Sequence, residues 1–255
     1  MPGVFIISLD FELIWGVRDK KTKDKYGDNI IGARAAIPMI LELFQKYKIH
    51  CTWATVGLLF CRDKNEMMSA LPDRKPRYEN PALSSYSYLD EVLDNEETDP
   101  YHFAHRIIDL IRKYDGQEIG SHSFSHYYCH EPGQTISDFE ADINSAVHIA
   151  AKHGISLRSF VFPRNQVIPE YLPVLKKLGF ICYRGNPESK IYRMKNLEKF
   201  DIIRNGLRFI DNYINLLGHK TYTLGEKEPG SEEIMNIPAS AFLRPYNEKL
   251  KIVKY

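Results

Sequence analysis

Short apolar segments alternate with helical segments along most of the chain. The apolar segments at 4–9, 51–57, 117–124, 159–163 and 180–185 predict strands, and segments with apolar residues three or four apart lie between them. Strands that alternate with helices predict an α/β fold with a parallel sheet, in which both faces of each strand are covered. At 255 residues we expect a single domain, 1–255.

Two regions interrupt this alternation. Residues 63–100 are rich in Pro, Asn, Asp and Ser, and predict an insertion with short helices at most. The polar, Lys-rich sequence between Glu12 and Asn29 predicts an exposed loop before a helix that reaches Tyr47. Ser137, with Glu140 three residues later, predicts the N-cap of a helix through Lys152.

Composition excludes several functional classes. A net charge of +1 gives no general attraction to nucleic acid, and no apolar run is long enough for a membrane span. The four cysteines form no CxxC pair, which predicts reduced thiols rather than a disulfide framework or a zinc knuckle. The first residues lack the basic segment of a secretory signal, so we expect a cytoplasmic protein.

Polar residues follow the predicted strands at one end of the expected sheet. His122, His126 and His130 are spaced four apart, and imidazoles at this spacing can point toward one metal ion. We favour His122 with His126, because His122 directly follows a predicted strand. A His-rich surface turn is the alternative that the spacing leaves open.

Two carboxylates follow the first strand, and further candidates follow later ones. Asp10 and Glu12 come after an apolar run, where unpaired charges would be costly, so they predict a nearby cation. Solvation, or pairing with Arg18 or Arg164, is the alternative. Arg164 could instead orient a catalytic carboxylate through a bidentate contact.

Four residues are candidates for substrate contact. Trp15 and Trp53 could stack against a sugar ring, although packing in the core or in a loop is the other interpretation. Asn165 and Arg184 lie where two later strands are predicted to end. The Lys-rich segment 18–25 could contact the phosphate of a nucleotide- or lipid-linked sugar, or be a solvated loop.

Four segments together resemble the polysaccharide deacetylases, the NodB-homology group of carbohydrate esterase family 4: SLDFE, TWATVG, EIGSHSFSH and SFVFPRNQ. The resemblance covers residues 4 to about 185. It implies an irregular (β/α) barrel of about seven strands and a divalent metal, commonly zinc. It also implies a catalytic base at Asp10, metal ligands at Glu12, His122 and His126, and an arginine, Arg164, that contacts the base. The order Pro-Arg departs from the family's Arg-x-Pro.

Further segments resemble a WbmS-like subgroup found with surface-polysaccharide and O-antigen biosynthesis: DFELIWG, FPRNQ, YRGN and NIPASAFLRPY. The implied function is removal of an N-acyl, chiefly acetyl, group from an amino sugar. The family's late Leu-His motif supplies a general acid, and 217–219 is a poor match to it. We therefore expect either a missing C-terminal motif or no general acid. The alternatives are an inactive sugar-binding homologue, or a deformylase or other amide hydrolase on the same fold.

Overall fold

The computed structural model describes residues 3–187, 221–223 and 233–241, and contains six strands and five α-helices in that part of the chain. The strands are β1 (Ser8–Phe11), β2 (Cys51–Thr55), β3 (Gln117–Ser121), β4 (Ser159–Val161), β5 (Cys182–Gly185) and β6 (Met235–Pro238). The helices are α1 (Lys23–Tyr47), α2 (Lys64–Ser69), α3 (His105–Ile111), α4 (Ile136–Lys152) and α5 (Leu172–Lys177). Residues 217–219 lie outside the described residues.

The strands form one sheet in sequence order, β1-β2-β3-β4-β5-β6. β1 pairs in parallel with β2, β2 with β3, and β3 with β4. Sequential parallel neighbours are the order found in (β/α) barrels, whereas the order reverses in a doubly wound sheet. The predicted α/β class is confirmed, and the carboxyl ends of β1 to β4 share one edge.

The described residues fall into two compact units. The first runs to Tyr183 and includes Glu233–Met235, and the second comprises the residues from Arg184 onward other than those three. The hydrophobic core and the candidate site described below belong to the first unit. Most of the second lies outside the described residues, so the single-domain organisation stays a prediction.

One face of α4 lines the core beside the sheet. Phe139, Ile143, Ala146 and Ile149 recur at helical spacing and are at most 1% exposed. Phe139 also contacts Phe160 of β4, with ring centroids 6.0 Å apart in an edge arrangement. This packing fixes α4 next to the strand ends that carry the candidate site.

The start of the chain differs from the prediction. Val4 and Phe5 are 80% and 87% exposed, and β1 begins only at Ser8, so the predicted strand 4–9 was wrong in its first half. A short apolar run does not by itself distinguish a buried strand from an exposed terminus.

The predicted Lys-rich loop before α1 is also partly wrong, because α1 already begins at Lys23. Its buried face is set by Gly27, Ile30, Ile37 and Leu41, while most of its charged side chains point to solvent. The many charged residues in the first part of α1 made its amphipathic pattern difficult to recognise in the sequence.

The predicted N-cap of α4 was two residues too late. Thr135 caps the helix, and it forms a reciprocal capping box with Asp138.

Region 63–100 holds α2 and two 3-10 segments, Pro81–Leu83 and Ser85–Glu91, which confirms the insertion with short helices. No helix in the described part of the chain combines the length and apolar character that a membrane crossing needs.

Candidate metal centre

Glu12 stands at the junction between β1 and a tight buried turn. The strand ends at Phe11, and a 3-10 turn follows over Leu13–Gly16. Leu13 adopts φ 46°, which reverses the chain directly after Glu12. Trp15 is fully buried, and its indole N–H donates to the carbonyl of His102 at 3.0 Å. The backbone on the far side of Glu12 is therefore anchored in the core.

The two histidines come from a loop that follows β3. The His122 amide donates to Thr55 O at 2.9 Å, which extends the pairing of β3 with β2 by one bond. Ser123 and His126 adopt φ values of 61° and 59°, in the left-handed region. The Tyr127 amide donates to Ser123 Oγ at 2.7 Å, closing the turn between the histidines. The loop thus directs both imidazoles toward β1.

A close backbone contact presses this loop against the end of β2. The amides of Gly57 and Leu58 donate to the carbonyls of Ser123 and Phe124, at 2.9 and 3.0 Å. A Cβ at position 57 would lie 2.8 Å from Phe124 Cα, inside van der Waals contact. Only glycine therefore permits this approach.

Asp142 of α4 holds the histidine loop from the other side. Its carboxylate is 0% exposed and accepts from the amides of Phe124 and Ser125, at 2.7 and 3.4 Å. The hydroxyls of Ser125 and Tyr86 also donate to it, the latter at 2.8 Å. One buried acid thereby connects the loop, α4 and the insertion. Asp142 was not among the predicted site residues, although an acid on the apolar face of a helix was a signal.

Glu12, His122 and His126 converge on one point. Glu12 Oε2 lies 3.2 Å from His122 Nε2 and 3.0 Å from His126 Nε2. One ligand atom from each residue lies within 4.8 Å of the other two. Both histidines are buried, whereas the Glu12 side chain is 28% exposed. The site therefore opens to solvent on the carboxylate side.

The charge states suit cation binding. Burial raises the pKa of Glu12, but hydrogen bonds and charges of His122 and His126 outweigh it and hold that pKa well below its ordinary value. Burial lowers the pKa of His126, which favours the neutral imidazole despite the nearby carboxylate. An ionised carboxylate and a neutral imidazole, as favoured for Glu12 and His126, are the ligand forms that divalent metals require.

The hydrogen bonding of His122 supports the same fit. Its Nδ1 lies 2.9 Å from the carbonyl oxygen of Val161, so Nδ1 carries the hydrogen. In a neutral ring, Nε2 then carries the lone pair that a metal ion needs, on the side that faces Glu12 Oε2. A backbone carbonyl on the outer nitrogen is the usual way to orient a metal-binding histidine. The three residues therefore fit a divalent cation.

Arg164 forms an ion pair with Asp19, a partner that the sequence did not predict. Its Nη2 donates to Asp19 Oδ2 at 2.6 Å, and its guanidinium lies 4.2 Å from the ring centroid of Tyr128. Tyr128 packs edge-on against His126, with centroids 5.1 Å apart. The ring of Tyr128 therefore contacts both Arg164 and the candidate ligand His126. Asp10 is exposed on β1, and its role as a base oriented by Arg164 stays a prediction.

The two tryptophans are core residues, which corrects their predicted contact with a sugar. Trp15 and Trp53 are 0% and 2% exposed, so neither ring has a face open to a ligand. The Trp53 indole donates to Gln117 Oε1 at 3.1 Å, and its ring packs against Phe44. The packing interpretation is the one that the structure supports.

We expect Trp53→Phe to affect stability and not substrate affinity. The change removes a hydrogen bond and leaves a small cavity, which should lower the free energy of unfolding by roughly 1 to 3 kcal/mol. Urea unfolding of the variant would measure this loss. A raised KM with unchanged stability would instead restore a substrate-binding role.

The last two predicted contact residues lie on β4 and β5. Asn165 follows β4, is half-buried and adopts φ 53°. Arg184 lies inside β5 rather than at its end, and is also half-buried. Their contact with a substrate stays a prediction.

Comparisons with known proteins return structural likeness alone. No protein-family model matches the chain, and no curated protein matches it. Similar solved structures include a putative polysaccharide deacetylase from Mycobacterium smegmatis, at 12% identity and a TM-score of 0.46, covering 72% of this chain and 51% of that one. A CE4 family pseudoenzyme from Bacillus anthracis gives 14% identity and a TM-score of 0.37, covering 69% of this chain and 41% of that one.

A de-N-acetylase from Aggregatibacter actinomycetemcomitans is also similar, with 10% identity and a TM-score of 0.43. The match covers 72% of this chain and 63% of that one. The chain therefore spans less than two thirds of each of these proteins. At such identities and TM-scores, the likeness does not decide family or activity.

Proposed function

We propose that the chain is a metal-dependent hydrolase that removes an N-acyl group, chiefly acetyl, from an amino sugar. The observation that carries the proposal is the convergence of Glu12, His122 and His126. One carboxylate and two imidazoles are a common ligand set of catalytic zinc sites, which keep a further position open for water or substrate. The exposed side of Glu12 supplies such an opening.

The roles of the chain's own residues follow from their placement. Glu12, His122 and His126 would hold a divalent cation, with zinc as our choice, because imidazole and carboxylate suit it. When bound, the cation supplies Lewis acidity for amide hydrolysis. Asp10, exposed at the same strand end, would accept the proton of the attacking water. Arg164, in the turn after β4, would help to orient this carboxylate.

The sequence resemblance supports the finer parts of this proposal. It favours an amino sugar of surface-polysaccharide or O-antigen biosynthesis, in nucleotide- or lipid-linked form, acted on in the cytoplasm. Asn165 and Arg184 are the remaining candidates for sugar contact. An inactive sugar-binding protein is the second candidate, because 217–219 matches the family's general-acid motif poorly.

A paired substrate panel tests the proposal. Purified protein with zinc should release acetate from N-acetyl amino-sugar nucleotides faster than formate from the N-formyl analogues. Treatment with a chelator should lower the rate by at least about 100-fold, and added zinc should restore it, since Lewis acidity contributes several kcal/mol to such reactions.

Each other result of this panel identifies an alternative. Faster release of formate would indicate a deformylase. Zinc binding without any hydrolysis would favour the sugar-binding candidate, and hydrolysis that a chelator leaves unchanged would contradict the metal assignment.

A further inference from the structure

The carboxylate of Glu12 lies directly against the backbone of Gly16. A Cβ placed on Gly16 would lie 2.0 Å from Glu12 Cδ, and 2.1 and 2.4 Å from its two carboxylate oxygens. Contacts between non-bonded carbon atoms are optimal at about 3.5 to 4.0 Å. The Glu12 side chain therefore fills the space that a side chain at position 16 would need.

The turn that carries Gly16 has no room to move away. Leu13, Ile14 and Trp15 are 8%, 1% and 0% exposed. The Trp15 amide donates to the carbonyl of Glu12 at 3.0 Å, which ties the turn to the residue that it supports. A new methyl group at position 16 would thus push against the flexible carboxylate, because the backbone on either side is fixed.

The backbone at Gly16 does not itself demand glycine. Among the glycines that the structure describes, positive φ occurs at Gly116, Gly133, Gly154 and Gly179, and not at Gly16. Alanine would therefore fit the main-chain conformation without strain. The three atoms nearest to the added Cβ all belong to the Glu12 carboxylate. The need for glycine here comes from the neighbouring side chain.

We propose that Gly16 is a positioning residue that allows a glutamate to serve as the acidic ligand of the centre. The inference rests on the proposed function. Glutamate is one methylene longer than aspartate, and here its side chain folds back over the turn to meet His122 and His126. The missing Cβ of Gly16 provides the room for that fold. The Glu12 carboxylate and the bare Cα of Gly16 thus form one unit.

Zinc titration of the metal-free, full-length Gly16→Ala protein tests this proposal. The zinc affinity is measured in competition with a chelating dye. We expect zinc affinity to fall by about 10- to 100-fold, the usual effect of losing a group that orients a ligand. The melting temperature of the metal-free protein should stay the same, because only the end of a flexible side chain is displaced. Gly32→Ala is the matched control, since a Cβ there meets nothing within 4 Å.

A second variant separates displacement of Glu12 from general damage. Glu12→Asp alone should weaken zinc binding, because it withdraws the carboxylate by one methylene. Added to Gly16→Ala, it should cause little further loss, since the shorter side chain no longer competes for the same space. The two changes should therefore be strongly non-additive.

The outcomes distinguish this inference from the proposed function. Unchanged zinc affinity in Gly16→Ala, additive losses in the double variant, or an unfolded metal-free Gly16→Ala protein would each overturn the role of Gly16. Absence of zinc binding by the unaltered chain would overturn the proposed function itself.

Discussion

His126→Ala is expected to remove both zinc binding and hydrolysis. The change deletes one of three ligands and leaves Glu12 and His122 unable to complete a site alone. At zinc 100-fold above its dissociation constant, the unaltered protein should gain about 2.7 kcal/mol of stability, which the variant should not gain. Thermal melting with and without zinc measures this difference, independently of any substrate.

The control for this experiment lies four residues further along the chain. His130 shares the spacing but is exposed, and its backbone amide donates a hydrogen bond to Gln166 Oε1 at 3.1 Å. His130→Ala should keep both the zinc-dependent rise in melting temperature and the activity. Zinc stabilisation that survives in His126→Ala, or is lost in His130→Ala, would refute the ligand assignment.

Asp142→Ala is expected to be the most destabilising single change near the site. It would leave the amides of Phe124 and Ser125, and the hydroxyls of Ser125 and Tyr86, without their buried acceptor. Each unsatisfied buried donor costs about 1 to 3 kcal/mol, and partial relaxation should keep the total loss on the order of 3 to 5 kcal/mol. Urea unfolding measures the loss.

Glu140→Ala provides a comparison on the same helix. Glu140 pairs with Lys177, whose side chain is 70% exposed, so its removal should cost less than about 1 kcal/mol. Asp142→Asn, which keeps the size and one acceptor, should fall between the two. Equal stability losses in Asp142→Ala and Glu140→Ala would show that Asp142 does not anchor the histidine loop.

The edge of the sheet that gathers the candidate residues could be predicted from the sequence. Glu12 and His122 each follow an apolar segment, and parallel strands bring such positions together. His126 could be added because a spacing of four returns an imidazole to the same side. Local periodicity, which the sequence contains, suffices to place these residues together.

The residues that hold the candidate ligands in place could not be predicted in the same way. The link from Asp142 to Phe124 spans 18 residues, and that from Asp19 to Arg164 spans 145. Gly16 looks like an ordinary turn glycine until the Glu12 side chain is placed beside it. The contacts that define these roles depend on tertiary distances, and even the sequence signal at Asp142, an acid on an apolar helix face, does not name its partners.

In the described part of the chain, the strained residues are concentrated at the strand ends around the candidate site. Apart from Lys48, the described non-glycine residues with positive φ follow β1, β3 or β4: Leu13, Ser123, His126, Arg164 and Asn165. Such conformations cost about 1 to 3 kcal/mol each and persist only because the surrounding packing imposes them. The packing of the folded protein therefore offsets this conformational cost without a bound ion. Unlike a zinc finger, the polypeptide should fold without metal, and the ion should then bind to or exchange at a preformed site.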